Sequence, residues 1–219
     1  MVTFTSDSLV CERYILGPLE VNTYLVYEKG SKEAILIDPA DESQTLANRI
    51  SELDFAVLTI FLTHGHADHL QGVEYFRSRF PFAKVAISAA DAPMLLDPAL
   101  NLSVFLGGPI VLRPADQILK ENDTIKTGAH EGLLKSVSGH TTGGMILIFP
   151  GLVFCGDTLF AGSVGRSDFP GGNAKDLTKD ITSKIFSLSD RIVFPGHGPE
   201  TSISEEKNSN PFFEAPFTV

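Results

Sequence analysis

The run FAVLTIFLT (55–63) stops at THGHADH, which places His64, His66, Asp68 and His69 within six residues. A nine-residue stretch with Val, Ile and Thr and no polar alternation reads as a strand buried on both faces, the kind found in sheets covered by helices. The polar cluster behind it constrains the chain further. In an extended segment, residues two apart point the same way, so His64 and His66 reach one point. Asp68 and His69 fall where the chain turns into a helix, and address a second point a few ångströms away. A merely solvated loop has no need of repeated imidazoles.

The same grammar occurs twice. VNTYLVYE (21–28) and EAILIDPAD (33–41), separated by KGSK, form a hairpin whose second strand stops at Asp38-Pro39. A helix follows over 42–53 with Leu46, Ala47, Ile50 and Leu53 on one face, and then the buried strand and its histidine loop. After HGHADH comes a helix turning Leu70, Val73, Phe76 and Phe80 inward, then a strand KVAIS (84–88) and an irregular connection over 92–117 rich in Pro and Gly. In the second half GLLKSVS (132–138), MILIFP (145–150) and LVFCGD (152–157) read as strands, and the last again ends on an aspartate. A helix around 174–187 leads to RIVFP (191–195), a strand followed by a loop carrying His197. Strand pair, aspartate, helix, buried strand, histidine loop: the order predicts an α/β fold, a four-layer α/β/β/α sandwich of two related halves. The 219 residues suit a single domain over 1–219 without a separate C-terminal helical domain. The tail from Pro199 on is polar, then aromatic, and too short to be one.

Two further clusters complete the polar set. Ser138-Gly139-His140-Thr141 is a Gly-flanked turn, and His197 sits in P-G-H-G after a buried strand. Asp157, in C-G-D-T, ends another buried strand, where a lone carboxylate is costly without a cation or hydrogen bonds. Each lies at the C-terminal end of a strand, so all can converge on one edge of the sandwich. Seven candidate ligands exceed the four of a single zinc but suit two ions sharing a carboxylate. Imidazole with carboxylate accommodates Zn, Fe or Mn.

Charge and composition narrow the partners. With 27 acidic against 17 basic residues the net charge is −10, which disfavours a nucleic-acid partner. Cys11 and Cys155 are too few for a disulfide framework and read as buried free thiols in a reducing cytoplasm. The opening MVTFTSDSLV has no basic region followed by an apolar one, so no secretory signal is expected. The most apolar stretch, GGMILIFPGLVF, is broken by Pro150-Gly151 and falls short of the ~20 residues that span a bilayer, so no membrane partner is expected either.

H-x-H-x-D-H followed by G-H-T, G-D-T and P-G-H resembles the metallo-β-lactamase-fold superfamily over nearly the whole chain. The resemblance implies one metal site of His64, His66 and His140, a second of Asp68, His69 and His197, and Asp157 bridging both. Departures set several branches aside. Flavodiiron oxygen reductases carry glutamate where this chain has His66. The main zinc β-lactamases lack a histidine at the place of His69, or carry cysteine or serine at that of Asp157. The RNA-cleaving branches usually carry an RNA-binding insert or an extra domain. The segments GDTLFAGSVGRSDFPGG (156–172), FPGHGPETS (194–202) and EEKNSNPFF (205–213) resemble the short, bacterial-type glyoxalase II proteins.

That likeness implies a metal-dependent hydrolase of glutathione-type thioesters, S-lactoylglutathione-like, acting through a metal-bridging hydroxide. Two divalent ions, zinc foremost with iron or manganese as alternatives, serve a small anionic thioester, with Asp68 and Asp157 as catalytic carboxylates. The Gly-Arg-Ser-Asp-Phe loop also resembles the persulfide dioxygenases, which bind one iron; the P-G-G after Phe169 and the P-G-H-G-P around His197 favour the hydrolase. A lactonase and a non-catalytic metal-binding protein are further readings. Arg166 matches a lysine that holds glutathione in full-length glyoxalase II, but Asp168 stands where its tyrosine would be. Arg166 is therefore a candidate for a substrate carboxylate, set against an Arg166–Asp168 pair that braces the loop. Lys207 and Asn210 read as a solvated segment, and His130 as a surface residue in a turn.

Overall fold

A computed structural model describes residues 2–6 and 8–213. Its first sheet takes up the chain in sequence order. Strands β1 (Val2–Ser6), β2 (Leu9–Leu16), β3 (Val21–Glu28) and β4 (Glu33–Ile37) are antiparallel neighbours. Helix α1 (Gln44–Leu53) then returns the chain so that β5 (Val57–Phe61) lies parallel to β4. The short helices α2 (Ala67–Leu70) and α3 (Val73–Arg79) lead to β6 (Lys84–Ser88), and β7 (Gln117–Leu119) closes the sheet, both strands parallel to their neighbours.

The second sheet begins with the meander β8 (Thr124–Thr127), β9 (His130–Ser136), β10 (Met145–Phe149) and β11 (Leu152–Gly156). A small hairpin, β12 (Leu159–Phe160) and β13 (Ser163–Val164), precedes α4 (Ala174–Asp180), which continues as one π-helical turn over Ile181–Ile185. The chain then enters β14 (Ile192–Pro195), parallel to β11; β15 (Thr201–Ser202) and α5 (Ile203–Ser209) follow. The two units match in order: an antiparallel pair, an aspartate, a helix, then a strand parallel to the second of the pair.

Period-two alternation explains why these strands read as unbroken apolar runs. Tyr24, Val26, Ile35, Ile37 and Phe61 face a central core that Leu134, Met145, Leu147, Phe149 and Phe154 fill from the other sheet. Their neighbours Leu25, Leu36, Leu58 and Ile60 face outward, against Leu46 and Ile50 of α1 and Val73 and Phe76 of α3. On the far side Ile146, Val153 and Cys155 pack against Leu177 of α4, the π turn and Ile203 of α5. Three cores separate four layers, helix, sheet, sheet, helix.

Several expectations are corrected. The helix after HGHADH is broken in two at Gln71-Gly72, because Gly72 lies against the backbone of Pro39 and Asp41, where a Cβ would overlap the Asp41 carbonyl. The irregular stretch 92–117 holds two 3₁₀ turns and runs into β7, and with β8 this is too short for periodicity to reveal. His130 opens β9 half-buried, its Nε2 2.9 Å from Ser8 Oγ, instead of standing in a turn. The tail is ordered by α5, which Ser202 caps by accepting from the Glu205 N–H. Lys207 is exposed as read, but Asn210 is 1% exposed and donates to Ser163 O and Glu206 Oε2. Residues 214–219 of that tail lie outside the described residues. Both cysteines are free and buried. Among the described residues no helix is long and apolar enough to cross a membrane.

Candidate metal centre

Every candidate ligand follows a strand whose carboxyl end reaches the same edge of the sandwich. Asp38 comes after β4, His64 after β5, His140 after β9, Asp157 after β11 and His197 after β14. Carboxyl ends of parallel strands are where open α/β sheets place their ligands. The two sheets are locked together at this edge. Met145 N–H donates to Thr63 O at 2.8 Å, Asn22 N–H to Gly196 O at 2.7 Å, and the Tyr24 hydroxyl to Pro195 O at 2.7 Å.

There the structure brings together all seven residues singled out from the sequence. His64, His66 and His140 each offer an atom within 4.8 Å of the others, and Asp68, His69 and His197 do the same. Asp157 stands between the groups. Its Oδ1 is 3.2 Å from His69 Nε2, and its Oδ2 lies 3.5 Å from His197 Nε2 and 3.7 Å from His140 Nε2.

Groups behind the rings decide which nitrogen faces inward. Thr63 spends its hydroxyl hydrogen on Asp38 Oδ2 at 2.6 Å, so its oxygen, 3.0 Å from His64 Nδ1, is an acceptor for that ring. His69 Nδ1 donates to Asp38 Oδ2 at 3.0 Å, His140 Nδ1 to Arg166 O at 2.7 Å, and His197 Nδ1 to Leu19 O at 3.0 Å. Each ring keeps its proton on Nδ1 and turns an Nε2 lone pair toward the centre. His66 is the exception, presenting Nδ1, 2.9 Å from His140 Nε2.

This donor set fits divalent cations. His64 Nε2, His69 Nε2 and Asp157 Oδ1 are buried without any hydrogen-bond partner, although His69 Nε2 and Asp157 Oδ1 lie only 3.2 Å apart. Leaving one such group unsatisfied costs about 1–3 kcal/mol, so acceptors that face acceptors mark the place of a cation. The electrostatics agree. Burial, followed by the neighbouring imidazoles, pushes His64 well below its ordinary value and His66 down to about 3, keeping both neutral as ligands must be. His69 differs: burial works against charge on it, but Asp157, Asp68 and Asp38 outweigh burial and favour a positive charge at this point, which is a proton on the ring when no cation is present and a divalent cation when one binds. Asp157 is likewise held low by His69, His140 and His197 against the effect of burial.

Two carboxylates were missed. Asp38, with His64 and His69, forms a third group of potential ligands, but its oxygens are already committed to Thr63 and His69. It braces the rings from behind and sits at φ +47°, a left-handed conformation uncommon outside glycine that aspartate tolerates better than most residues. The Asp-Pro stop was its signal, and Asp157 is its counterpart in the second unit. Asp91 had no signal. Buried beyond β6, it accepts from Gly65 N–H at 3.1 Å, Thr141 Oγ1 at 2.7 Å and Gly143 N–H at 2.7 Å, tying the His64–His66 loop to the His140 loop.

Arg166 and Asp168 form the bracing pair, with Nε and Nη2 each 2.8 Å from a carboxylate oxygen. The guanidinium lies 3.8 Å above the Phe169 ring and lines the cavity over the centre. Cys155 is no part of the site. Its side chain packs with Val153 on the helix-facing side, and burial pushes its thiol up to about 12.

The sequence pattern of the Metallo-beta-lactamase superfamily matches residues 16–197. A probable metallo-hydrolase of Streptococcus pyogenes serotype M6 is 36% identical over 200 residues, covering 88% of this chain and 85% of that protein. The hydroxyacylglutathione hydrolase GloC of Haemophilus influenzae is 32% identical over 199 residues, 89% of this chain and 93% of that one. Among solved structures, the BLEG-1 B3 metallo-beta-lactamase superposes with a TM-score of 0.87 at 34% identity, over 94% of this chain and all (100%) of that one. TTHA1623 in a di-iron-bound form gives a TM-score of 0.76 at 32% identity, over 92% and 99%.

Proposed function

The chain belongs to the metallo-β-lactamase superfamily, and from that premise we propose that it hydrolyses thioesters whose thiol part is anionic and glutathione-like. The observation that carries the reading is the pair of ligand groups sharing Asp157 at the floor of a cavity of about 440 Å³. These residues would hold two divalent ions, whose chemistry when bound would be to make a water nucleophilic near neutral pH and to polarise a carbonyl. The 32% identity to GloC supports the thioester, and the di-iron form of TTHA1623 supports two ions and keeps iron beside zinc and manganese.

The chain's own residues divide the work. His64, His66 and His140 hold one side of the centre, and Asp68, His69 and His197 the other. Asp157 fixes their separation. Asp68, half-buried on the cavity floor with Oδ2 3.4 Å from His197 Nε2, orients the attacking water. A thiolate leaves readily because its conjugate acid has a pKa near 8.5, so no strong general acid is needed. Two divalent ions against the charges of Asp68 and Asp157 leave the floor locally cationic, suited to an anionic substrate in an acidic protein. The same reading takes residues 1–219 as one domain and its two buried thiols as fitting a reducing cytoplasm.

The test is release of free thiol from S-lactoylglutathione by protein loaded with zinc, iron or manganese, with metal content measured alongside. Turnover with two ions per chain supports the proposal; no turnover of this or any other S-acyl glutathione with any of the three metals overturns it. One iron per chain and oxygen uptake with glutathione persulfide would assign the dioxygenase instead. The 34% identity to BLEG-1 carries a second reading, attack on the cyclic amide of a β-lactam, which a chromogenic cephalosporin checks directly.

A further inference from the structure

One wall of the cavity is apolar without a structural need to be. Leu102 and Leu106 line it with Phe105, and Leu19 faces it from the β2–β3 loop. Phe105 is 80% exposed and Leu19 46%, an arrangement that holds apolar surface against water beside a polar centre. The wall is nevertheless built. Asn101, fully buried, donates from Nδ2 to Met94 O and Ile110 O and accepts from Ser103 N–H, while Ser103 Oγ accepts from Ile110 N–H. These bonds close the base of a loop whose tip carries Phe105 and Leu106. Both sides of the wall are bonded to the metal-centre loops: Ala67 N–H donates to Asn101 O at 2.8 Å, and His197 Nδ1 to Leu19 O.

The side-chain polar groups of the wall itself are spent, and those of Arg166 are partly so. Asn101 uses its whole amide internally, and Arg166 commits Nε and Nη2 to Asp168, leaving Nη1 unassigned to any partner on the apolar wall itself. A hydroxyl on the acyl group would find no free side-chain partner on the apolar wall, whereas an aliphatic chain would cover Phe105 and its neighbours. We infer that Leu19, Leu102, Phe105 and Leu106 form an acyl subsite, so that the substrate joins an unsubstituted apolar acyl chain to an anionic thiol.

This rests on the thioester reading above. The experiment is a series of S-acyl glutathiones, acetyl, butyryl, hexanoyl and lactoyl, given to the metal-loaded full chain and to Phe105→Ser. Calorimetry with the uncleavable S-methyl and S-hexyl glutathiones runs alongside. Complete burial of a methylene is worth roughly a fourfold gain, so even partial burial should raise kcat/KM about tenfold from acetyl to hexanoyl and place lactoyl below butyryl. S-hexylglutathione should bind about tenfold more tightly than the S-methyl compound, and Phe105→Ser should flatten both trends. The substitution is at an exposed tip, so folding is not at stake. A flat series with equal binding, or trends unchanged in Phe105→Ser, overturns the subsite. No cleavage of any thioester, with the hexyl preference present and lost in Phe105→Ser, overturns the thioester reading and leaves the subsite standing.

Discussion

Each imidazole of the candidate centre but one is held by an acceptor behind it, which fixes the nitrogen it turns inward. Asp38 serves two rings, one directly and one through Thr63; backbone carbonyls of Arg166 and Leu19 serve two more. Asp157→Ala should lower metal content to one ion per chain or fewer and abolish hydrolysis, as elemental analysis and thiol release would show. Full metal content and rate in His69→Ala would refute the two-centre assignment. Asp91 is the sharper test of positioning, since it touches neither centre. Asp91→Asn turns an NH2 against at least one of the three donors, so Tm should fall by an amount corresponding to about 1–3 kcal/mol. Metal affinity, measured by competition with a chromogenic chelator, should drop about 10–100-fold. Unchanged affinity would confine Asp91 to stability. The candidate ligands were legible because four fall within six residues; Asp91 was not, because its three donors come from loops 26 to 52 residues away.

At the scale of elements, long apolar runs declared themselves and short pieces did not. β3, β4, β10 and β11 were read near their true limits, because sheets packed on both faces demand continuous hydrophobicity. β7, β8, β12 and β13, of two to four residues, carry no periodicity to read. The break between α2 and α3 depends on a close approach of Gly72 to residues some thirty positions earlier, which local pattern does not contain. A related approach ends β14. A Cβ at Gly196 would overlap Asp157 Oδ1 and crowd His69. Gly196→Ala should therefore fold, with unchanged far-ultraviolet circular dichroism, yet lose metal from the shared carboxylate. Full metal retention would show that β14 can shift to accommodate it.

For the whole molecule, the candidate centre draws residues from both sheets at the edge where backbone hydrogen bonds already join them, so ions bound there would contribute to stability. Ligand bound 100-fold above its Kd is worth about 2.7 kcal/mol. A strong chelator should lower Tm by several degrees, and re-addition of zinc should restore it. Far from the site, Glu12 is buried within the first sheet's outer core, where Arg49 holds it in a bidentate pair and Tyr14 and Tyr27 donate to it. Burial pushes its pKa up, but those bonds together outweigh it and leave it below the ordinary glutamate range. Because the folded value lies below the unfolded one, the stabilisation is present above about pH 4.3 and is lost as pH falls through the folded value. In metal-free protein Glu12→Gln should be less stable near neutrality and show a flatter acid limb in denaturant titrations. An identical limb would remove Glu12 from the account.

The chain's order of apolar runs, aspartates and histidine clusters determined the layers, the repeated unit and the seven converging candidate ligands, because periodicity and close spacing act locally. Only the tertiary structure decided which nitrogen each histidine presents, that Asp38 stands behind the rings, and that Asp91 ties two loops together. It also decided that Arg166 pairs with Asp168 at the cavity that Leu102, Phe105 and Leu106 line. Those outcomes depend on groups brought together across the sandwich, and hydrogen bonds between residues dozens of positions apart leave no mark in a local pattern.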